Sequence, residues 1–234
     1  MEFKKLCAPT LKELFIKELE SQILSGRLPI GTRLPPEREL AASMQISRSV
    51  VNEGVMALAE KGFLDIRQRQ GIFIADYRKE GTLDTFLSII NYNGGVLRKD
   101  EVRSILELRI ALDTLAVELG SKEITDSELS QLRGFTEAIG RASCAHDAAE
   151  SAFAFHHHLA LFSGNTLLPL IFRSFKVLTY SLWIRFCDLY GIPALYENTN
   201  ELCTMIEERD FKGAEGYLKR SLSESIDGHR EIYY

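Results

Sequence analysis

At 234 residues, 45% hydrophobic and 26% charged, the chain is too apolar to be disordered, yet it has no run of about 18 apolar residues that would cross a bilayer. Its start, Met1-Glu2-Phe3-Lys4-Lys5, lacks the apolar stretch and cleavage site of a signal peptide, so a cytoplasmic protein without membrane contact is expected. The net charge of −5 hides an asymmetry: residues 1–80 carry 13 Lys+Arg against 11 Asp+Glu and residues 81–234 carry 15 against 22, which confines the acidity to the later part.

In chain order, Thr10-Leu11-Lys12-Glu13 is a capping box, and Leu11, Leu14, Phe15, Leu19 and Ile23 form the apolar stripe of a helix that ends near Ser25-Gly26. Pro35-Pro36 opens a short helix through Met44, because proline is tolerated in a first turn only. Gln45-Ile46 leaves room for a tight turn. Ser47 then caps a third helix, with Ile46 and Val51 at the staple positions. Val51, Val55, Leu58 and Ala59 share one face of it, while Arg48, Ser49 and Asn52 point elsewhere. Gly54 is expected to weaken this helix by about 1 kcal/mol. Gly62 ends it, and Phe63-Leu64-Asp65-Ile66 and Ile72-Phe73-Ile74 read as strands joined by Arg67-Gln68-Arg69-Gln70-Gly71. Helix, turn, helix and basic-tipped hairpin make a winged helix with a polar first turn suited to a DNA groove.

The polar link Ala75 to Gly81 marks a boundary, giving a winged unit at 1–77 and a second unit at 78–234. From Leu83 the patterns are helical throughout, at about 82–92, 100–121, 126–141, 145–163, 165–190, 194–209 and 211–231. Breakers divide them at Asn93-Gly94-Gly95, Gly140, Ser163-Gly164-Asn165 and Gly191-Ile192-Pro193. The predicted fold is mainly α, a winged helix-turn-helix with a small β-hairpin followed by an all-α seven-helix bundle. Cys7, Cys144, Cys187 and Cys203 show no paired spacing and are expected to be reduced, mostly buried small hydrophobes. No G-x-S-x-G, phosphate-binding glycine loop, H-E-x-x-H or paired-cysteine motif supports an enzyme.

Gly31-Thr32-Arg33-Leu34-Pro35-Pro36-Glu37-Arg38-Glu39-Leu40-Ala41, then Ile46-Ser47-Arg48-Ser49-Val50, Lys61-Gly62-Phe63-Leu64 and Gly71-Ile72-Phe73-Ile74 together resemble the N-terminal domain of the GntR family of bacterial transcription regulators. Glu107-Leu108-Arg109 with Leu112-Asp113, Phe155-His156 with Leu159 and Ser163-Gly164-Asn165, and Asp210 with Ala214 resemble the helical ligand-binding FCD domain of the FadR subgroup. The resemblance implies a homodimeric regulator of double-stranded DNA with a palindromic operator, a repressor released by a small organic acid or an acyl-CoA. It implies DNA contacts from Arg33, Arg38, Ser47, Arg48, Ser49, Asn52, Arg67, Arg69 and Gly71, the wing residues being otherwise a solvated tip. Asn52 departs from the family's usual arginine; an amide pairs with adenine where arginine prefers guanine. Gly54 likewise stands where alanine is usual.

Arg109, His156, Asn198 and Ser221 are the effector-contact candidates. For Arg109 the alternative is a structural ion pair with Glu107 or Asp113; for His156 it is packing. Many family members hold a divalent metal through an aspartate, a histidine four residues later and two further histidines. Here those positions are Ala152, His156, Asn198 or Thr199, and Ser221, so no cofactor is expected and a lone imidazole leaves at most a weak metal site. His156-His157-His158 is no chelator, since consecutive helix residues diverge by about 100°; His157 and His158 read as packing or surface residues. The rival reading is a helical metal-binding protein or metalloenzyme using the His156 region, with the winged helix as a protein-contact module.

Overall fold

In the computed structural model, which describes residues 8–92, 97–120 and 124–233, the first helix, α1 (Leu11–Leu24), starts at the predicted cap. The Thr10 side chain accepts from Glu13 N at 3.2 Å, and Glu13 Oε2 accepts from Thr10 N at 2.7 Å, closing the box from both sides. Phe15, Leu19 and Ile23 are buried, but Leu11 and Leu14 remain exposed, so the core-facing stripe is narrower than the sequence pattern. α2 (Glu37–Met44) begins after Pro36, and Gln45 closes the following turn in the left-handed conformation, φ 54°. Ser47 caps α3 (Arg48–Glu60) by accepting from Val50 N at 3.2 Å.

β1 (Leu64–Arg67) and β2 (Gly71–Ile74) pair antiparallel, Leu64 opposite Ile74 and Arg67 opposite Gly71. A third short stretch lies along β2, which the sequence did not announce. Leu34 N donates to Ile72 O at 2.8 Å and Ile74 N to Thr32 O at 2.9 Å, with Arg33 bridged to Phe73. Phe15, Leu19, Ile23, Leu34, Leu40, Val51, Val55, Leu58, Phe63, Leu64 and Ile74 form one core beneath α3 and the ribbon.

Two short helices follow, α4 (Tyr77–Glu80) and α5 (Leu83–Tyr92). The compact first unit runs to Leu97, whereas the sequence reading drew its boundary after residue 77. The reason is a polar clamp on α5: Ser88 Oγ donates to Glu20 Oε1 at 2.8 Å, and Lys61 Nζ donates to both, at 2.8 Å to Glu20 and 3.1 Å to Ser88. Thr85 Oγ1 also donates to the Lys61 carbonyl. A single lysine thus ties α1, the end of α3 and α5 together, which a local reading of composition does not detect.

The second unit, from Arg98 on, has helices as its regular elements among the described residues. It comprises α6 (Lys99–Gly120), α7 (Asp126–Gly140), α8 (Ala145–Phe162), α9 (Leu168–Ser174), α10 (Lys176–Glu207) and α11 (Phe211–Asp227). The stretch predicted as one helix over 165–190 is broken at Phe175. Asn165 Oδ1 accepts from Leu167 N and Leu168 N, at 2.9 and 3.0 Å, so the side chain caps α9 instead of lying within it. Conversely, the predicted break at Gly191-Ile192-Pro193 is a kink inside α10, with Gly191 at φ 84° absorbing the bend and joining two helical stretches. The predicted helix over 82–92 is thus α5 of the first unit, and among the described residues of the second unit α10 supplies two helical stretches. α11 stops at Asp227, short of the predicted 231, and Gly228–Tyr233 turns back. Ala116, Val117, Leu132, Phe155, Leu159, Leu202, Ile206 and Ala214 make the centre of this unit's core.

Cys187 and Cys203 are buried and free, and burial pushes the Cys187 thiol up to about 11; Cys144, against expectation, is exposed. Cys7 and the Asn93-Gly94-Gly95 breaker lie outside the described residues.

Candidate functional site

Two places gather the candidate residues, one in each unit. In the first, the buried side of α3 fixes the helix while Ser47, Arg48, Ser49 and Asn52 stand exposed at its opening turns, and Arg38 stands exposed on α2. Arg33, Arg38 and Arg48 make no ion pair among the described residues, leaving three guanidinium groups available to an anion. Arg33 lies against Gly71, where an added Cβ would sit 2.8 Å from Arg33 Nε. Gly71 itself adopts φ 117°, which admits glycine and little else, so its role at the ribbon is conformational. At the tip, Arg69 takes φ 61° and is exposed, but Arg67 is turned back: its Nε donates to Asp65 at 2.7 Å and its guanidinium covers the Phe73 ring at 4.4 Å. Two carboxylates also face this surface. Asn52 Nδ2 donates to Glu37 Oε1 at 3.1 Å, and Ser49 Oγ to Glu53 Oε1 at 3.3 Å.

In the second unit, Arg109, His156, Asn198 and Ser221, drawn from α6, α8, α10 and α11, all line one cavity of about 60 Å³. The polar centre is Asp113, which is fully buried. Its Oδ1 lies 2.9 Å from His156 Nδ1, and its Oδ2 accepts from Arg109 Nη2 at 3.1 Å. Beside a carboxylate, Nδ1 carries the proton, and Nε2 lies 3.5 Å from Arg109 Nη2. Burial pushes the Asp113 carboxyl up, but the neighbouring His156 and Arg109, by charge and hydrogen bonding, outweigh it and hold the group below its ordinary value. The Trp183 ring lies under the Arg109 guanidinium at 4.4 Å and is stacked with His156 at 5.4 Å. Arg109 Nε, by contrast, is buried without a hydrogen-bond partner among the described residues. Of the two carboxylates considered for Arg109, Glu107 points to solvent toward Arg103 at 3.8 Å, so Asp113 is the partner.

The neighbouring histidines are packing residues: His157 stacks on Phe153 at 5.4 Å, and His158 Nδ1 lies 2.8 Å from the Ala154 carbonyl. Burial lowers the His157 pKa, with His158 and Arg173 acting in the same direction.

Two family models match the chain. That for bacterial regulatory proteins of the gntR family covers residues 12–74, and that for the FCD domain covers residues 104–224, more than half of the sequence. The chain belongs to the GntR family. Within this family it is 24% identical to the transcriptional regulator LutR of Bacillus subtilis strain 168 over 213 residues, 88% of this chain and 94% of that one. It is 30% identical to the Uxu operon transcriptional regulator of Escherichia coli K12 over 146 residues, which is 61% of this chain and 54% of that relative, so the match there spans about half of the relative. Among solved structures, Lar, described as controlling expression of the Listeria monocytogenes agr system, shares the fold with a TM-score of 0.62 at 16% identity, covering 94% of this chain and 96% of that one. As a GntR-family protein with an FCD domain, the chain is a DNA-binding regulator and not an enzyme.

The divalent metal held by many FCD domains does not fit the residues present here. Ala152, Asn198 and Ser221 stand where its other ligands would, and the ring nitrogen of His156 that does not face Asp113 lies against a guanidinium cation. Among the described residues no three His, Cys, Asp or Glu side chains cluster as a metal site. Asn198 is also spoken for, since its Oδ1 accepts from Arg230 Nη1 at 2.8 Å and Tyr217 OH at 3.4 Å.

Sequence reading missed the other side of the cavity. Tyr217, Ser225 and Ile232 line it, and Ile232 comes from the segment that turns back after Gly228. That segment is tied down by Tyr190 OH donating to the Glu231 carbonyl at 2.7 Å and Arg185 Nη2 to the Tyr233 carbonyl at 2.9 Å. No local pattern marks it; the one available signal was Gly228 as a helix stop.

Proposed function

We infer that this regulator is a repressor that binds a palindromic operator as a homodimer and is released from it by a small organic acid bound in the second unit. What supports the DNA contacts is the exposed set Arg38, Ser47, Arg48, Ser49 and Asn52 on helices whose other faces are buried, with Arg33 and Arg69 nearby on the ribbon side. One recognition helix meets few base pairs, and a second copy on a symmetric half-site multiplies the discrimination. Arg48→Ala is expected to weaken binding to an operator duplex by at least about 1 kcal/mol in a mobility-shift titration. Unchanged affinity would instead favour a winged helix that contacts protein.

The observation that carries the ligand reading is the partnerless Arg109 Nε in a cavity that also holds His156 and Ser221. A buried donor left unpaired is costly, and a carboxylate oxygen would satisfy it. At about 60 Å³ the cavity has room for roughly two water molecules. This favours an acid of a few carbon atoms over an acyl-CoA, which is far larger than that volume. Release of DNA by ligand is the family habit, and a population shift between two arrangements of the protein suffices for it. Small mono- and dicarboxylates are expected to raise the melting temperature followed by Trp183 fluorescence, and Arg109→Lys, which keeps the charge but removes the planar fork, to abolish the shift. Stabilisation by long acyl thioesters alone would sink the small-acid assignment.

A further inference from the structure

The carboxylate of Glu37 meets the recognition helix at Asn52. Asn52 Nδ2 donates to Glu37 Oε1 at 3.1 Å, a contact from the first residue of α2 to the exposed side of α3. An isolated asparagine amide on a helix surface presents its oxygen and nitrogen in either order, since the two orientations differ little in shape. A carboxylate removes the choice: it accepts and never donates, so only the NH₂ end can face it.

We propose that Glu37 is a positioning residue for Asn52, locking the amide in the orientation that reads adenine in the major groove. This rests on the DNA-binding reading above. With one N–H spent on Glu37, the amide retains a second N–H and its Oδ1, a donor and acceptor side by side. Adenine offers the complement, an acceptor at N7 and a donor at N6, whereas guanine offers acceptors at both N7 and O6. The carboxylate behind the amide adds a second bias in the same direction, because its negative charge opposes the two electronegative atoms of guanine and tolerates the N6 amino group. Glu37 thus acts through Asn52 and need not touch the base.

The test starts from duplexes selected by the full-length protein from a randomised pool, followed by affinity measurements at fixed salt on variants of the selected site changed one base pair at a time. Asn52→Ala is expected to erase discrimination at an A·T pair, a loss on the order of tenfold or more, the range of one bidentate contact. Glu37→Ala is expected to lose most of the same discrimination at the same base pair and no other. Glu37→Gln, which keeps the size of the side chain but can donate as well as accept and carries no charge, is expected to lose that discrimination too. Full discrimination in Glu37→Ala overturns the proposal, and so does a loss spread evenly over the site, which would mean a damaged scaffold. A site in which Asn52→Ala maps to no base pair overturns it while leaving the DNA-binding reading intact. Failure of the unaltered protein to select any sequence overturns both.

Discussion

Asp113→Ala is expected to be the most destabilising single change in the helical unit, costing about 3–5 kcal/mol, the range for removing one member of a buried ion pair. The carboxylate is inaccessible to solvent and, among the described residues, is the anion that touches both Arg109 Nη2, at 3.1 Å, and His156 Nδ1, at 2.9 Å. Truncation leaves an arginine that is 6% exposed without its counter-ion and an imidazole donor without an acceptor. Neither has enough contact with water to recover the loss. Trp183, the one tryptophan of the chain, lies against both groups, so its fluorescence reports this unit's unfolding in denaturant. A midpoint corresponding to less than about 1 kcal/mol would mean that water enters and takes over the role of the carboxylate.

The same group sets an acid limit. Its folded pKa is depressed below the unfolded value of about 3.9, so its contribution is complete above that value and is lost as the pH falls through the folded pKa. The Trp183 transition is expected to weaken below about pH 4, and Asp113→Asn, which keeps the shape without the charge, to flatten that part of the profile.

The winged helix was legible because its determinants are local. The Thr10 and Ser47 caps, the prolines before α2 and the apolar face of α3 lie within a few residues of what they specify. The ion pair was half legible: Arg109 and Asp113 are four residues apart and so share a helix face, but Glu107 competed until burial separated the two. What escaped depends on distant chain. The strand-like pairing of Thr32 and Leu34 is too short to alternate, the clamp on α5 joins Glu20, Lys61 and Ser88, and Ile232 reaches the cavity because α11 ends early. The aromatic run from Phe172 to Tyr190 was ambiguous for the same reason. Phe172 went to the core, while Trp183 and Phe186 went to the cavity, on either side of the break at Phe175.

Gly54→Ala is expected to destabilise the winged unit, although helix propensity alone predicts a gain of about 1 kcal/mol. The sequence marked Gly54 as a weak point of α3; packing gives it a purpose. The residue is buried, and a Cβ added there would fall 2.3 Å from Cδ1 and 2.7 Å from Cε1 of Phe15. Phe15 is 3% exposed and surrounded by the unit's core, so its ring has nowhere to swing. Either α1 and α3 part or the ring leaves its rotamer, and overpacking of this kind costs about 1–3 kcal/mol. The clash outweighs the propensity gain, for a net loss of roughly 0–2 kcal/mol. It also moves the helix that carries Arg48 and Asn52, so operator affinity is expected to fall with stability. A double-mutant cycle with Phe15→Leu isolates the cause, because a smaller side chain makes room for the methyl group and the two changes should couple by at least about 0.5 kcal/mol. Amide exchange at Val55 and Leu58 supplies the stability readout, since both lie in the core of the winged unit, which contains no tryptophan. Slower exchange in Gly54→Ala, with no coupling to Phe15→Leu, would show that the glycine is a relic of propensity and does not set the approach of α1 to α3.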